Sequence, residues 1–225
     1  MDIEATRDPG IQEKLAELRD DYPNDNEARL YAAVADFFEL EDDMDRVMAC
    51  QEQAVALAPT DAEHVFRLAR SLLKREKWKE GGKMLERCSD LDALSLAGRH
   101  WSVNNMYYLA YALFNVGRYK EAAEAFAAAL EIIDIWGDAR ILKNLHLHAG
   151  WAWHLEKNFA KASQSYLKAL VAPGPGDSCD EDVMDPDEVE AAQAMNELIE
   201  PFLLMAQEGE PLSAEGLVAR PAFPG

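Results

Sequence analysis

Apolar side chains along this sequence return every three or four positions, which is the period of a helix rather than of a strand. Met106, Leu109, Ala110 and Leu113 stand at i, i+3, i+4 and i+7, and Tyr119, Ala122, Phe126 and Ala129 form a second stripe. Gly117, between Val116 and Arg118, supplies the stop that separates them. Two helices joined so closely must pack antiparallel, so the stretch from Asn104 to Asp134 predicts a helical hairpin. Alternating runs of Val, Ile and Thr are missing, while Ala, Leu, Glu and Lys dominate. The fold class expected is all-α.

The same hairpin pattern recurs three more times. Tyr31, Val34, Ala35 and Phe38 precede Met44, Val47 and Ala54, closing at Pro59. Val65, Leu68, Ala69 and Leu72 precede Trp78, Gly81, Leu85 and Cys88. His146, Ala149, Gly150 and Trp153 precede Phe159, Ala162, Tyr166 and Ala169, ahead of the breaker run Pro173-Gly174-Pro175-Gly176. The hairpins start near residues 28, 62, 103 and 143. The first interval matches a period of about 34 residues, and the next two are about seven residues longer, which predicts lengthened helices there.

Small residues where two helices cross, with an aromatic filling the gap beside them, let backbones approach closely. With Val103 as position one, Ala110 is the small residue of the first helix, Gly117 and Tyr119 occupy the turn, and Ala122, Phe126 and Ala129 mark the second. This pattern resembles the tetratricopeptide repeat family over roughly Asn26 to Ala172. Gln51 stands where the first hairpin would carry an aromatic, Gly81 and Gly82 are weak helix formers, and His146 is polar at a normally apolar position.

The resemblance implies a right-handed superhelix, an α-solenoid of about four such hairpins. The expected organisation is a capping helix in residues 1–25 and the array in 26–172. An acidic Pro/Gly linker in 173–187, a second capping helix in 188–208 and a tail in 209–225 follow. It also implies that first-helix positions two, five, nine and twelve face a concave groove. Those are Arg29, Ala32, Asp36 and Glu39, then Glu63, Phe66, Arg70 and Leu73, then Asn104, Tyr107, Tyr111 and Phe114, then Asn144, Leu147, Trp151 and His154.

Aromatic residues and Arg dominate binding hot spots, and an Asn side chain can both donate to and accept from an extended peptide backbone. The expected partner-binding residues are therefore Phe66, Arg67, Arg70, Asn104, Tyr107, Tyr111, Asn144, His148 and Trp151. The competing reading is that Tyr107, Tyr111 and Trp151 pack between neighbouring hairpins instead. The Lys, Asn and Arg set with which some family members grip a C-terminal carboxylate is incomplete, since Ala32 and Asp36 replace the expected Lys and Asn.

Charge narrows the partners. The 225 residues are 49% hydrophobic and 28% charged, an ordinary globular balance, but the net charge is −20. Such a field repels nucleic-acid phosphates and anionic headgroups, and it steers a basic or amphipathic protein segment inward. Eight of the 22 basic residues, Arg67, Arg70, Lys74, Arg75, Lys77, Lys79, Lys83 and Arg87, form one island. The reading favoured for it is a solvated surface in contact with the protein's own carboxylates.

Charges break every window long enough to span a membrane, and the acidic start Met1-Asp2-Ile3-Glu4 lacks the order of a secretory signal. Cys50, Cys88 and Cys179 are odd in number and unpaired by spacing, which fits a reducing cytoplasm.

Phosphate-loop, dinucleotide, zinc-protease and nucleophile-elbow motifs are all missing. His146 and His148 diverge on a helix, His148 and His154 are six apart, and the acid run from Asp177 to Asp187 lacks calcium-loop order. No cofactor, metal or catalytic residue is expected. The function expected is that of an adaptor or chaperone binding a partner segment in the groove. The alternative is a structural subunit or homo-oligomer built through the convex face and the terminal helices, with the tail as a candidate groove filler. A narrower version is a type III secretion chaperone, although these usually have three units and a shorter chain.

Overall fold

The computed structural model describes residues 7–22, 25–92, 99–136, 139–172 and 186–212. The linker as far as residue 185, the tail beyond 212, and Cys179 lie outside them. Among the described residues all regular structure is helical: α1 (Pro9–Asp21), α2 (Glu27–Leu40), α3 (Met44–Leu57), α4 (Ala62–Lys74), α5 (Trp78–Asp92), α6 (Arg99–Asn115), α7 (Tyr119–Trp136), α8 (Ala139–Leu155), α9 (Phe159–Val171) and α10 (Pro186–Glu208). They form two compact units, Met1–Trp101 and Ser102–Gly225. The extra residues of the later intervals enter the helices, since α6, α7 and α8 have 17 or 18 residues where α2, α3 and α4 have 13 or 14.

Each helix starts and stops for a local reason. Asp8, Asn26, Asp43, Asp61 and Asn158 are N-caps whose side-chain oxygens accept from backbone N–H groups one turn on, for example Arg29 N–H to Asn26 at 2.8 Å. The turns inside the four hairpins share one geometry. Asp42, Glu76, Gly117 and Lys157 all lie at positive φ, 58 to 81°. The N–H of the residue after each, at Asp43, Lys77, Arg118 and Asn158, donates back to the carbonyls of Phe38, Leu72, Leu113 and Trp153. This is a helix C-cap of the Schellman kind, in which one left-handed residue lets the last carbonyls find donors. Only Gly117 advertises it in the sequence.

In the first unit, α1, α2 and α3 enclose Ile11, Leu15, Tyr31, Val34, Phe38, Val47 and Cys50. In the second, α6 to α10 share one larger core around Phe126, Leu145, Ala152, Tyr166 and Ile199. Close approach is fixed by glycine in both. A Cβ at Gly81 of α5 would lie 2.5 Å from Leu73 Cδ2 of α4, and one at Gly150 of α8 would lie 2.4 Å from the Tyr166 ring of α9. Gly81 is thus a contact point in a helix that runs through it unbroken, not a weak spot.

Candidate functional site

The first helices of the two units, α2 and α4 in one and α6 and α8 in the other, carry different chemistry on equivalent positions. In the first unit the acids at these positions are already engaged. Asp36 pairs with Arg67 at 2.6 Å, and Glu39 pairs with Arg70 at 2.8 Å and Lys74 at 2.6 Å, while Arg67 also reaches Glu63 at 3.0 Å. Burial is the largest influence on Glu39 and pushes its carboxyl up, but the Lys74 hydrogen bond and the charges of Arg70 and Lys74 together outweigh it and hold the group below its usual range. Farther along, Arg75 meets Asp45 at 2.5 Å, and Arg46 of α3 meets the α1 cap Asp8 at 3.0 Å. Half of the basic island, Arg67, Arg70, Lys74 and Arg75, therefore neutralises the protein's own carboxylates. Phe66 is buried.

In the second unit the equivalent positions form an aromatic cluster around a histidine. The His148 ring centroid lies 5.3 Å from that of Trp151, 5.7 Å from Phe126, 5.8 Å from Tyr111 and 5.9 Å from Tyr107. Tyr107, Tyr111 and Trp151 are only 6, 7 and 3% exposed, so these aromatics are core positions rather than an open wall. Asn104 and Asn144 are half-buried.

Among the described residues, neither ring nitrogen of His148 nor the indole N–H of Trp151 has a hydrogen-bond partner. Burial drives the His148 pKa down to about 4, so the ring is neutral near pH 7. A neutral imidazole keeps one donor and one acceptor, and with the indole N–H three hydrogen-bonding functions stay unanswered.

A second histidine, His154 near the end of α8, is fully answered. Its Nε2 lies 2.6 Å from the carbonyl of Glu210, and its Nδ1 lies 3.2 Å from the Tyr166 hydroxyl. A carbonyl only accepts, so Nε2 carries the proton and Nδ1 accepts from Tyr166. Burial lowers the His154 pKa, with the Glu210 bond opposing it. This contact ties the chain just beyond α10 onto α8 and α9. The resemblance in the sequence predicts His154 at a groove position, but nothing local in the sequence points to a partner 56 residues on.

Helix α10 closes this unit by packing on α9 and α8. Phe202 meets Trp151 and Tyr166 at ring distances of 5.6 and 6.0 Å, Ile199 and Ala206 are buried beside it, and Lys143 Nζ donates to Asn196 at 2.8 Å. Among the described residues of this unit, the large apolar side chains left exposed are Leu167 and Val171 of α9 and Leu204 of α10, with Val171 82% exposed.

Cys50 is buried, and its thiol is pushed up to about 12 by burial, which makes it unreactive. Among the described residues no group of three or more His, Cys, Asp or Glu is placed to hold a metal ion, and no helix is long and apolar enough to cross a membrane.

The chain matches no protein-family model and no curated protein. It is similar in structure to several solved proteins. BtubC (BKLC) from P. vanneervenii superposes with a TM-score of 0.59 at 15% identity, over 99% of this chain and 92% of that one. YrrB, described as a TPR protein with an unusual peptide-binding site, superposes with a TM-score of 0.57 at 16% identity, over 91% and 96%. MamA from Desulfovibrio magneticus RS-1, residue 41 to the end, superposes with a TM-score of 0.56 at 14% identity, over 82% and 92%. At this level of identity the likeness establishes the fold, which is all-α and of the tetratricopeptide type.

Proposed function

We propose that this tetratricopeptide-type chain is a cytoplasmic, non-catalytic protein-interaction module, an adaptor or chaperone, that holds a segment of another protein along α6 and α8 of its second unit. The observation that carries the reading is the cluster of His148 and Trp151, whose polar atoms are buried and unanswered among Tyr107, Tyr111 and Phe126. A buried polar group without a partner costs about 1–3 kcal/mol, so a segment that parts the covering side chains and brings a donor and acceptors recovers that cost on binding. Asn104 and Asn144 suit contact with the backbone of that segment. The peptide-binding site ascribed to YrrB supports the reading by likeness of fold alone.

In the first unit, Phe66, Arg67 and Arg70 play a lesser part. Arg67 and Arg70 are engaged by Asp36 and Glu39, so an acidic segment has to displace those carboxylates to reach them.

The test is affinity capture from cell extract with the wild-type chain and with the Asn104→Ala, Asn144→Ala double variant, whose positions are half-buried. A stoichiometric protein partner, captured about tenfold less by the double variant, is the expected result, since tenfold is about 1.4 kcal/mol. Equal capture by a folded double variant contradicts the reading. A structural subunit or homo-oligomer is the second reading, favoured by exposed Leu167, Val171 and Leu204. A stable oligomer in light scattering, with nothing captured, supports it.

A further inference from the structure

Helix α9 reverses the charge balance of the chain. With 42 acidic against 22 basic residues, an exposed base readily finds an acid, and Arg19, Arg46, Arg67, Arg70 and Lys74 all do. The 13 residues of α9 include no Asp or Glu. Lys161 and Lys168 of α9, and Lys157 in the turn before it, are exposed, and among the described residues none of the three pairs with a carboxylate. Lys161 Nζ instead rests 4.0 Å from the centroid of the Trp153 ring.

The same face of α9 is apolar along its middle. Ala162, Tyr166 and Ala169 point into the core, and at about 3.6 residues per turn Ala160, Gln164, Leu167 and Val171 lie on the opposite side. Leu167 is 47% and Val171 82% exposed. Lys161 and Lys168 follow one edge of this stripe, two turns apart, and Lys157 stands at its N-terminal end. These lysines are not spent on α10. That helix packs inward through Ile199, Phe202 and Ala206, while its exposed Glu197, Glu200 and Glu208 form no ion pair among the described residues.

We propose that the outward face of α9 is a docking surface for an acidic amphipathic helix of a partner protein. The partner lays apolar side chains, spaced three and four apart, on Leu167 and Val171 and sets Asp or Glu beside Lys161 and Lys168. A basic segment sets base against base here, and a second α9 brought by another copy supplies lysines rather than acids. Screening confines these attractions to about 8 Å at physiological salt, so the lysines at the contact, not the net charge of −20, decide which sign of partner stays bound. The surface lies outside the α6 and α8 positions proposed above and gives the chain a second protein contact, so the two readings stand or fall separately.

The probe is a labelled helical peptide of about four turns, with Leu at helical spacing along one face and Glu along both edges, titrated into the full chain. Saturable binding is expected. It weakens about tenfold for the Lys161→Glu, Lys168→Glu variant and about tenfold for the Leu167→Ala, Val171→Ala variant. All four positions are exposed and receive good helix formers, so both variants keep the helical circular dichroism of the wild type. A peptide of the same composition in scrambled order, which has no apolar face, binds at least about tenfold less tightly.

No saturable binding, equal affinity for the wild type and either double variant, or equal affinity of the two peptides overturns the proposal. Self-association of the wild-type chain that Leu167→Ala, Val171→Ala abolishes in light scattering makes the occupant a second copy, and overturns it too. The Asn104→Ala, Asn144→Ala variant is expected to bind the peptide as the wild type does. If the peptide fails to bind while a partner is still captured through Asn104 and Asn144, this inference falls and the reading of α6 and α8 is left intact.

Discussion

The two units apply the same hairpin to opposite ends. In the first, the first-helix positions carry acids and bases that pair across α2 and α4, and Glu39 alone receives two cations. In the second, the matching positions carry Tyr107, Tyr111, His148 and Trp151, which pack at tilted and edge-on angles in a buried cluster. Surface ion pairs contribute about 0–1 kcal/mol each, whereas aromatic burial contributes several times more. The repeat framework therefore fixes backbone geometry, while the residues at a few positions decide whether charge pairs or packed rings are added to a unit's apolar core.

Glycine contacts break this contrast most forcefully. Gly150→Ala drives a methyl into the rigid Tyr166 ring and is expected to destabilise the second unit by about 3 kcal/mol, at the upper end for overpacking. Gly81→Ala meets the end of the Leu73 side chain, which can rotate, and costs about 1 kcal/mol. Segment-resolved hydrogen exchange in urea assigns each loss to its unit, and equal losses contradict the packing described.

Acid separates the units next. Unfolded histidine binds a proton near pH 6.5, but buried His148 does not until about pH 4, so between those values only the unfolded chain takes up the proton. Stability of the second unit therefore falls as pH drops below 6.5, by about 2 kcal/mol at pH 5. Glu39 acts in a lower window. Its stabilising effect is complete above its ordinary value of 4.5 and fades as pH falls through its lowered pKa. Exchange protection at pH 7 and pH 5 is expected to fall mainly in the second unit, and His148→Phe is expected to flatten that response.

Smaller changes sharpen the picture. Glu39→Ala leaves Arg70 and Lys74 without their acid and is expected to cost the first unit about 1 kcal/mol or less, an effect that shrinks at 1 M salt. Chemical denaturation at low and high salt checks it. Glu76→Gly and Lys157→Gly relieve a left-handed backbone in one unit each and are expected to stabilise both by the same amount, about 0.5–1 kcal/mol, because the turn is the same.

Much of this is legible in the sequence, for a physical reason. Helical period and small-residue positions act locally, so the hairpins and the lengthened helices of the second unit can be read from spacing. The four left-handed turns cannot, since Asp42, Glu76 and Lys157 occupy three of them and side-chain type does not report φ. Nor can the burial of Tyr107, Tyr111 and Trp151. Position along a first helix says which way a side chain leans, but neighbours on α7 and α10 decide whether anything covers it. Contacts such as His154 with Glu210 depend on where the chain returns, which no repeat pattern encodes.

The function proposed for this chain requires that another protein lie along α6 and α8. Photo-crosslinking from a reactive residue placed at Asn144, compared with one at exposed Lys120 on α7, measures this directly in cell extract. A single protein species joined through position 144 and absent from position 120 is the predicted result. Adducts from both positions alike, or from 120 alone, contradict it.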